Sequence, residues 1–236
     1  MKLIKYLIVT LFVLGETKAE AADFFTLADQ FFSKYVKNGN VAYADIQANQ
    51  DKELAVLLEK IASFDLNGTN ENTAKAFMIN TYNILAIKGI IDKYPVKSPM
   101  KINNFFDKKG YMVAGEKMSL NQLEKERLYP RTKDPRLHFV LVCAARSCPK
   151  LASFAYVPEK LDQQIEKVTR QTLNDPEFIR VKGNRLEVSE IFSWYKKDFT
   201  NASKSILNYI NQYLETRMDN KTKIGFYTYD WSLNDQ

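Results

Sequence analysis

Residues 72–93, NTAKAFMINTYNILAIKGIIDK, form the longest and most apolar helical pattern of the chain, and this pattern decides the fold. It predicts one helix that ends before Tyr94-Pro95. Asn80 and Asn83 share one face of this helix with apolar neighbours, so we expect both amides to point inward. A buried amide without a partner costs about 1–3 kcal/mol. The two amides therefore either hydrogen-bond to nearby loops or line a polar pocket.

Around this helix, the sequence alternates between helical and extended patterns without a regular βαβ repeat. Ser119 and Gln122 have the spacing of a capping box, which predicts a helix that stops by Pro130. Apolar residues at helical spacing predict further helices over residues 23–36, 51–64, 158–173 and 203–217 and one opened by Ser189.

The predicted strands are short. Residues 136–143 are a β-rich apolar run, which predicts a buried strand. Turn residues between 178–181 and 185–188 predict a hairpin. Further extended segments are predicted over residues 41–46, 104–107, 111–114 and 224–229. We therefore expect an α+β fold, with a small mostly antiparallel sheet surrounded by helices, as a single domain over residues 22–236.

The first 21 residues have the pattern of a secretory signal peptide. Lys2 and Lys5 give a basic start. The apolar run after them is too short for a bilayer of about 30 Å, which takes about 20 apolar residues. Ala19 and Ala21 occupy the small-residue positions that a signal peptidase needs, which predicts cleavage after Ala21. We therefore expect an exported protein, periplasmic or secreted, without a transmembrane segment in the mature chain. An uncleaved N-terminal anchor is the alternative.

The charged residues are interspersed along the chain. The formal net charge is +6, from 34 Lys and Arg against 28 Asp and Glu. Nucleic-acid binding calls for a concentrated basic stripe, and the sequence has no long basic run. We therefore predict no nucleic-acid partner. No cofactor is predicted either, and the expected partner is an unidentified ligand or protein.

Both cysteines of the chain, Cys143 and Cys148, and its one histidine, His138, lie within eleven residues. An imidazole titrates near neutrality, so His138 is a candidate general base. Cys148 is a candidate nucleophile, because a nearby cation or a helix N-terminus lowers the pKa of a thiol. Arg146 supplies the cation, and Pro149 can start a helical turn.

Other readings of this cluster stay open. A regular strand over residues 136–143 would separate His138 and Cys143 by about 16 Å, so a dyad would need a loop that brings Cys148 back. Cys143 and Cys148 could instead form a disulfide, which export permits, or remain ordinary buried thiols. The spacing matches no standard zinc pattern and a fourth ligand is not evident, so no metal site is predicted.

Four motifs, in this order, resemble the DUF547 family. They are Ala76–Asn83, Asp134–Pro149, Ile191–Phe199 and Tyr229–Asn234. The family has no settled activity. Some relatives carry the domain beside redox or signalling modules, so the resemblance implies thiol chemistry or scaffolding. A distant similarity to papain-like or transglutaminase-like hydrolases would leave asparagines on the long helix where those enzymes hold a nucleophile.

The sequence leaves three functions open. The favoured one is an exported binding or scaffolding module with a polar pocket near His138 and Cys148, because no standard catalytic motif is complete. The second is a thiol-dependent hydrolase or acyltransferase with Cys148 as nucleophile and His138 as base. The third is a thiol–disulfide redox protein, although the C-x4-C spacing differs from the usual C-x-x-C. The expected pocket residues are Asn80, Asn83, Cys143, Arg146 and Asp230, of which Asp230 would orient His138, pair with Arg146 or cap the C-terminal turn.

Overall fold

Helices and short strands alternate through residues 23–49, 52–108 and 110–236, which the computed structural model describes. The predicted signal peptide, residues 1–21, lies outside this part of the chain. The helices are α1 (residues 23–35), α2 (Tyr43–Ala48), α3 (Lys52–Ser63), α4 (Glu71–Ile91), α5 (Leu120–Gln122), α6 (Tyr129–Thr132), α7 (Leu161–Leu173), α8 (Ile191–Trp194), α9 (Lys196–Ser203) and α10 (Ile206–Ile210). The strands are β1 (Val36–Lys37), β2 (Asn40–Val41), β3 (Tyr111–Val113), β4 (Glu116–Met118), β5 (Ile179–Lys182), β6 (Arg185–Ser189) and β7 (Lys223–Tyr227).

Helix α4 forms the core of the described fold and confirms the long helix predicted from the sequence. Asn70 caps its start by accepting a hydrogen bond from the backbone N–H of Thr73. Nearly all of its residues from Ala74 onward are buried. A helix that is apolar on every side needs neighbours on every side, and α2, α3, α5 and the residues after α5 pack around it. None of the described helices is both long enough and apolar enough to cross a membrane.

The strands form three small sheets, so the α+β class is confirmed although the strands do not join in one sheet. β1 pairs with β2 and β3 with β4, each antiparallel. β5 and β6 form the predicted hairpin, with Ile179 opposite Val188. β7 adds to β6 in parallel, with Phe226 opposite Val188. Antiparallel pairing therefore dominates among the described strands, as predicted.

The strand predicted over residues 136–143 is wrong. Residues Pro135–Phe139 form a 3-10 helix, which Asp134 caps by accepting from the backbone N–H of Arg136. The chain after it is a loop, in which the carbonyl of Val140 and the N–H of Val142 hydrogen-bond to the side chain of Asn83 on α4. A short apolar run cannot by itself distinguish a strand from a buried turn of helix.

Four other boundaries differ from the predicted ones. Residues 104–107 form turns, and β3 pairs with β4 instead. Most of 41–46 belongs to α2. Ser205 caps α10, which ends at Ile210, well short of the predicted end. The capping box at Ser119 is confirmed. The helix that begins there was predicted to stop by Pro130, which is the fourth difference. It continues through a π-helix (Leu123–Leu128) into α6, and Pro130 lies in the first turn of α6.

Residues 228–236 join distant parts of the fold. The backbone carbonyl of Asn234 accepts a hydrogen bond from the N–H of Val41. The backbone N–H of Asn234 donates to the carbonyl of Ala144. The Asn234 side chain accepts from the hydroxyl of Tyr43 at 2.8 Å and donates to the carbonyl of Gly39 at 3.1 Å. This C-terminal segment thereby holds the β1–β2 hairpin against the loop that contains both cysteines.

Candidate functional site

A cavity of about 270 Å³ lies where four parts of the chain meet. They are the π-helix, the 3-10 helix at Pro135–Phe139, the loop of residues 143–148 (the cysteine loop) and the C-terminal segment. Its lining includes His138, Cys143 and Cys148, together with side chains that belong to more distant parts of the sequence. A concave site with apolar walls and a few convergent polar groups is the usual form of a small-molecule site. The lone histidine and both cysteines therefore share one candidate site.

His138 is held in place by Asp198 of α9. The ring Nε2 and a carboxylate oxygen of Asp198 lie 2.8 Å apart, and the imidazole is buried. The His138 ring stacks on Tyr195, with 3.8 Å between ring centroids. The hydrogen bond to His138 keeps the pKa of Asp198 below its usual value, and a hydrogen bond from Tyr129 adds to this. An ionised carboxylate can only accept, so Nε2 carries the proton of this bond.

Glu124 places a carboxyl group in the cavity wall. It lies on the π-helix, a rare conformation that is frequent at functional sites. Glu124 is 8% exposed, and it accepts hydrogen bonds from the hydroxyls of Tyr195, at 3.3 Å, and Tyr82. Burial raises the pKa of Glu124 above its usual value. Glu124 forms no ion pair with the other described residues, and the two tyrosine hydrogen bonds and the more distant His138 and Lys125 offset only part of the cost of burying its charge.

Cys143 and Cys148 form a disulfide, with 1.97 Å between their sulfur atoms. The hydroxyl of Tyr229 lies 3.1 Å from each sulfur, and the backbone N–H of Cys143 donates to the sulfur of Cys148 at 3.0 Å. In this state Cys148 has no thiol to ionise. The structure therefore does not contain the thiol–imidazole pair of Cys148 and His138 that the sequence offered as catalytic, and it contains the disulfide that was the alternative.

An aromatic wall closes one side of the cavity; it consists of Phe106, Trp194, Tyr229 and Trp231. Ring centroids lie 4.8 Å apart for Trp194 and Tyr229, 4.7 Å for Tyr229 and Trp231, and 5.8 Å for the two tryptophans. Trp194 is 47% exposed, which is high for so large an apolar side chain. Both tryptophans of the chain therefore lie at this site.

Asn80 and Asn83 point inward from α4, but neither is among the residues that line the cavity. Asn80 exchanges two hydrogen bonds with the backbone of Tyr156, at 2.7 and 2.9 Å. Asn83 donates to the carbonyl of Val140 and accepts from the N–H of Val142, both at 2.9 Å. Both amides thus anchor loops, and Asn83 anchors the loop that connects His138 to Cys143.

Arg146 lies within the cysteine loop and Asp230 contacts that loop, but neither is in the cavity lining. Asp230 accepts from the N–H of Ser232 through its side chain, and its N–H donates to the hydroxyl of Ser147. These two hydrogen bonds make Asp230 a cap of the C-terminal turn. The hydrogen bond with Ser232 lowers the pKa of Asp230, and the charge of Arg146 contributes further. Asp198, and not Asp230, orients His138.

Sequence reasoning missed Glu124, Asp198 and the aromatic wall. Asp198 and Trp194 lie in one of the four quoted motifs, which was a usable signal that they share a site. Glu124 carried no such signal, because in the sequence a glutamate that will be buried cannot be distinguished from an exposed glutamate of an amphipathic helix. Among the described residues, no group of three or more His, Cys, Asp or Glu side chains is placed to hold a metal ion.

The model of the family DUF547, a protein family of unknown function, matches residues 66–173. Neither the curated proteins nor the solved structures include a match to the chain. The matched segment contains Glu124, His138 and the disulfide, whereas Asp198 and the two tryptophans follow it. Residues 66–173 therefore carry the DUF547 pattern that the motifs predicted.

Proposed function

We propose that this protein is a ligand-binding module whose binding site is the cavity beside His138 and Cys148. One observation carries the proposal: the single histidine, the disulfide and both tryptophans of the chain line one concave site. If these side chains served only to fill the core, we would not expect the histidine, both cysteines and both tryptophans to line the same cavity. At about 270 Å³ the cavity lies just below the range of about 300–1,000 Å³ typical of drug-sized ligands, so the ligand is small.

The contacts favour binding over thiol catalysis. His138 is fixed by Asp198, and the cysteines are fixed by each other, so the polar groups are pre-positioned. Pre-positioned groups lower the entropic cost of binding. A thiol hydrolase would need a free thiolate as its nucleophile, and both sulfurs are committed to the disulfide.

The binding proposal is tested by titrating a small library of chemically diverse fragments into the purified protein. Because both tryptophans line the cavity, we expect bound fragments to change the intrinsic tryptophan fluorescence saturably. Ligand-observed NMR gives a readout that does not depend on tryptophan. Trp231→Ala should weaken fragment binding about tenfold or more, since it removes one side of the wall.

Phe226→Ala is the matched control, because Phe226 is an exposed aromatic side chain outside the cavity lining. It should leave fragment affinities unchanged. Fragments that bind equally well to the native protein and the Trp231→Ala variant, or no binding across the library, would contradict a binding function for this cavity.

We also propose that the domain works outside the cytoplasm, in the periplasm or in the surrounding medium. The signal-peptide pattern of residues 1–21 supports this, and a disulfide is typical of oxidising compartments. Expression of the full chain in a bacterium should yield an exported protein whose intact mass begins at Ala22. A protein retained in the cytoplasm, or one whose mass includes residues 1–21, would contradict cleavage and favour the uncleaved anchor or no export.

A second candidate function is thiol–disulfide exchange, which is favoured by the position of the disulfide in the cavity lining. In such a reaction a dithiol of a substrate protein is oxidised to a disulfide, and Cys143 and Cys148 are reduced to two thiols. A substrate thiolate attacks one sulfur, the other leaves, and the resulting mixed disulfide is resolved by the second substrate thiol. The hydroxyl of Tyr229, 3.1 Å from both sulfurs, is placed to donate a hydrogen bond to the leaving thiolate.

This candidate is tested by equilibrating the protein in glutathione buffers and counting alkylated cysteines by mass spectrometry. A redox role predicts a reduction potential at or above about −270 mV, the range of exchange catalysts, whereas structural disulfides fall below about −300 mV. Tyr229→Phe should lower the potential if the hydroxyl stabilises the thiolate. A potential in the structural range, unchanged in Tyr229→Phe, would exclude the redox role and leave the disulfide as a structural part of the binding site.

A further inference from the structure

We propose that the ligand of this cavity carries a small organic cation, an ammonium or guanidinium group, which pairs with the carboxylate of Glu124 beside the aromatic wall of Phe106, Trp194, Tyr229 and Trp231. The inference rests on the proposed binding function and names the chemical class of the ligand.

The buried carboxyl group of Glu124 is the first feature that favours a cation. Glu124 is 8% exposed, and among the described residues no lysine, arginine or histidine forms an ion pair with it. A carboxylate taken out of water is costly unless it is paired. Protein side chains hydrogen-bond Glu124 through two tyrosine hydroxyls but do not neutralise it. A ligand cation would supply the missing counter-charge.

The charges that face Glu124 from the elements packed around it also favour a cation. Tyr82 of α4 and Tyr195 donate hydrogen bonds, and His138 faces Glu124 from the 3-10 helix. Lys125 is its chain neighbour on the π-helix and is exposed to solvent, which screens its charge. Asp107 and Lys125 also line the cavity, both with exposed side chains and with opposite charges, and Asp198, which binds His138, is partly exposed and outside the lining. Glu124 is therefore the one buried carboxyl group in the lining of this cavity.

The aromatic wall of the cavity is a third feature that favours a cation. An organic cation over the face of Trp, Tyr or Phe within about 6 Å of the ring centroid is attracted by the ring electrons. The rings of Trp194, Tyr229 and Trp231 contact one another and form a continuous aromatic surface in the cavity. Tyr195, which hydrogen-bonds Glu124, directly follows Trp194 in the chain. The carboxyl group and the aromatic surface are thereby held at one site.

The experiment uses three probes that share a butyl chain and differ in charge: butylammonium, butanol and butyrate. Titration of each into the disulfide-bonded protein is followed by tryptophan fluorescence and calorimetry. We expect butylammonium to bind with a dissociation constant on the order of millimolar, as suits so small a ligand. Butanol and butyrate should bind about tenfold or more weakly, because they cannot form the charged hydrogen bond.

Glu124→Gln is the decisive variant, because it keeps an acceptor for the two tyrosines and removes the charge. It should weaken butylammonium binding about tenfold or more without altering butanol binding. Glu126→Gln is the matched control, since Glu126 is an exposed carboxyl on the same π-helix and outside the cavity lining. It should bind butylammonium as the native protein does.

The pH dependence gives a second readout. Burial raises the pKa of Glu124, so in the free protein the carboxyl is protonated at low pH and ionises as the pH rises above its usual range. Cation binding should therefore tighten as the pH rises, and Glu124→Gln should lose this dependence. Native Glu124 also costs stability as the pH rises from its unfolded toward its folded pKa, so Glu124→Gln should fold at least as stably near neutral pH.

The outcomes separate the ligand class from the binding function. Preference for butylammonium, lost in Glu124→Gln and kept in Glu126→Gln, supports the cation. Equal or tighter binding of butanol or butyrate overturns the cation and leaves the binding function standing. If none of the three probes binds, the cation is overturned as well, and the fragment library decides the binding function independently.

Discussion

Replacing Asn83 with alanine is expected to lower the free energy of unfolding by about 3–5 kcal/mol. The change leaves the carbonyl of Val140 and the N–H of Val142 buried without partners, at about 1–3 kcal/mol each, and the space left by the amide adds to the cost. Unfolding in urea, followed by circular dichroism, measures the loss. Because this loop connects His138 to Cys143, the variant should also lose butylammonium binding under conditions where it remains folded.

Asn72→Ala is the matched control, since Asn72 lies on the same helix with an exposed side chain. It should change the free energy of unfolding by about 0.5 kcal/mol or less. If Asn83→Ala cost less than about 1 kcal/mol, the loop backbone would have found other partners, and the amide would not be what holds it.

Replacing Phe139 with alanine is expected to cost a similar amount, about 3–5 kcal/mol, through loss of packing. Phe139 is fully buried, and its ring packs against Phe178, Phe192, Phe199 and Tyr209, with centroids 5.9–6.4 Å away. It follows His138 on the 3-10 helix, and Phe199 belongs to the same helix, α9, as Asp198. The variant should therefore loosen the pairing of His138 with Asp198 as well as the core.

Phe139→Leu keeps much of the apolar volume and should cost clearly less than Phe139→Ala, which identifies packing as the cause. Phe226→Ala removes a half-exposed ring from β7 and should cost about 1 kcal/mol or less. The same urea experiment serves all three variants. Equal losses for Phe139→Ala and Phe226→Ala would mean that the cluster around Phe139 is not the packed core described here.

The local signals in the sequence identified much of the fold. Helix α4 was predictable because its 21 residues are mostly apolar and include few charged side chains. The hairpin of β5 and β6 has turn residues at the right spacing, and the Ser119 capping box is a reciprocal pair of local hydrogen bonds. Each of these elements is determined by residues within a few positions of one another.

The predictions that were wrong or missing concern features that depend on contacts between residues far apart in the sequence. The run at 136–143 looked like a strand, but its backbone is bonded by Asn83, which lies 57 and 59 positions away in the sequence from Val140 and Val142. Asp198 lies 60 positions from His138, and no local pattern links the two. The burial of Glu124 depends on a π-helix that places it in the cavity wall, and periodicity does not indicate that conformation. The fold class was therefore within reach of the sequence, while the composition of the site was not.

The C-terminal segment has a consequence for how the protein is made. Tyr229 and Trp231 complete the cavity, and Asn234 ties residues near the first helix to the cysteine loop. Residues 229–234 are synthesised after every other part of the cavity, so α4 and its neighbours can form without them but the cavity cannot be complete. We expect chains truncated before Tyr229 to keep helical secondary structure, to be degraded faster by proteases and to lack ligand recognition.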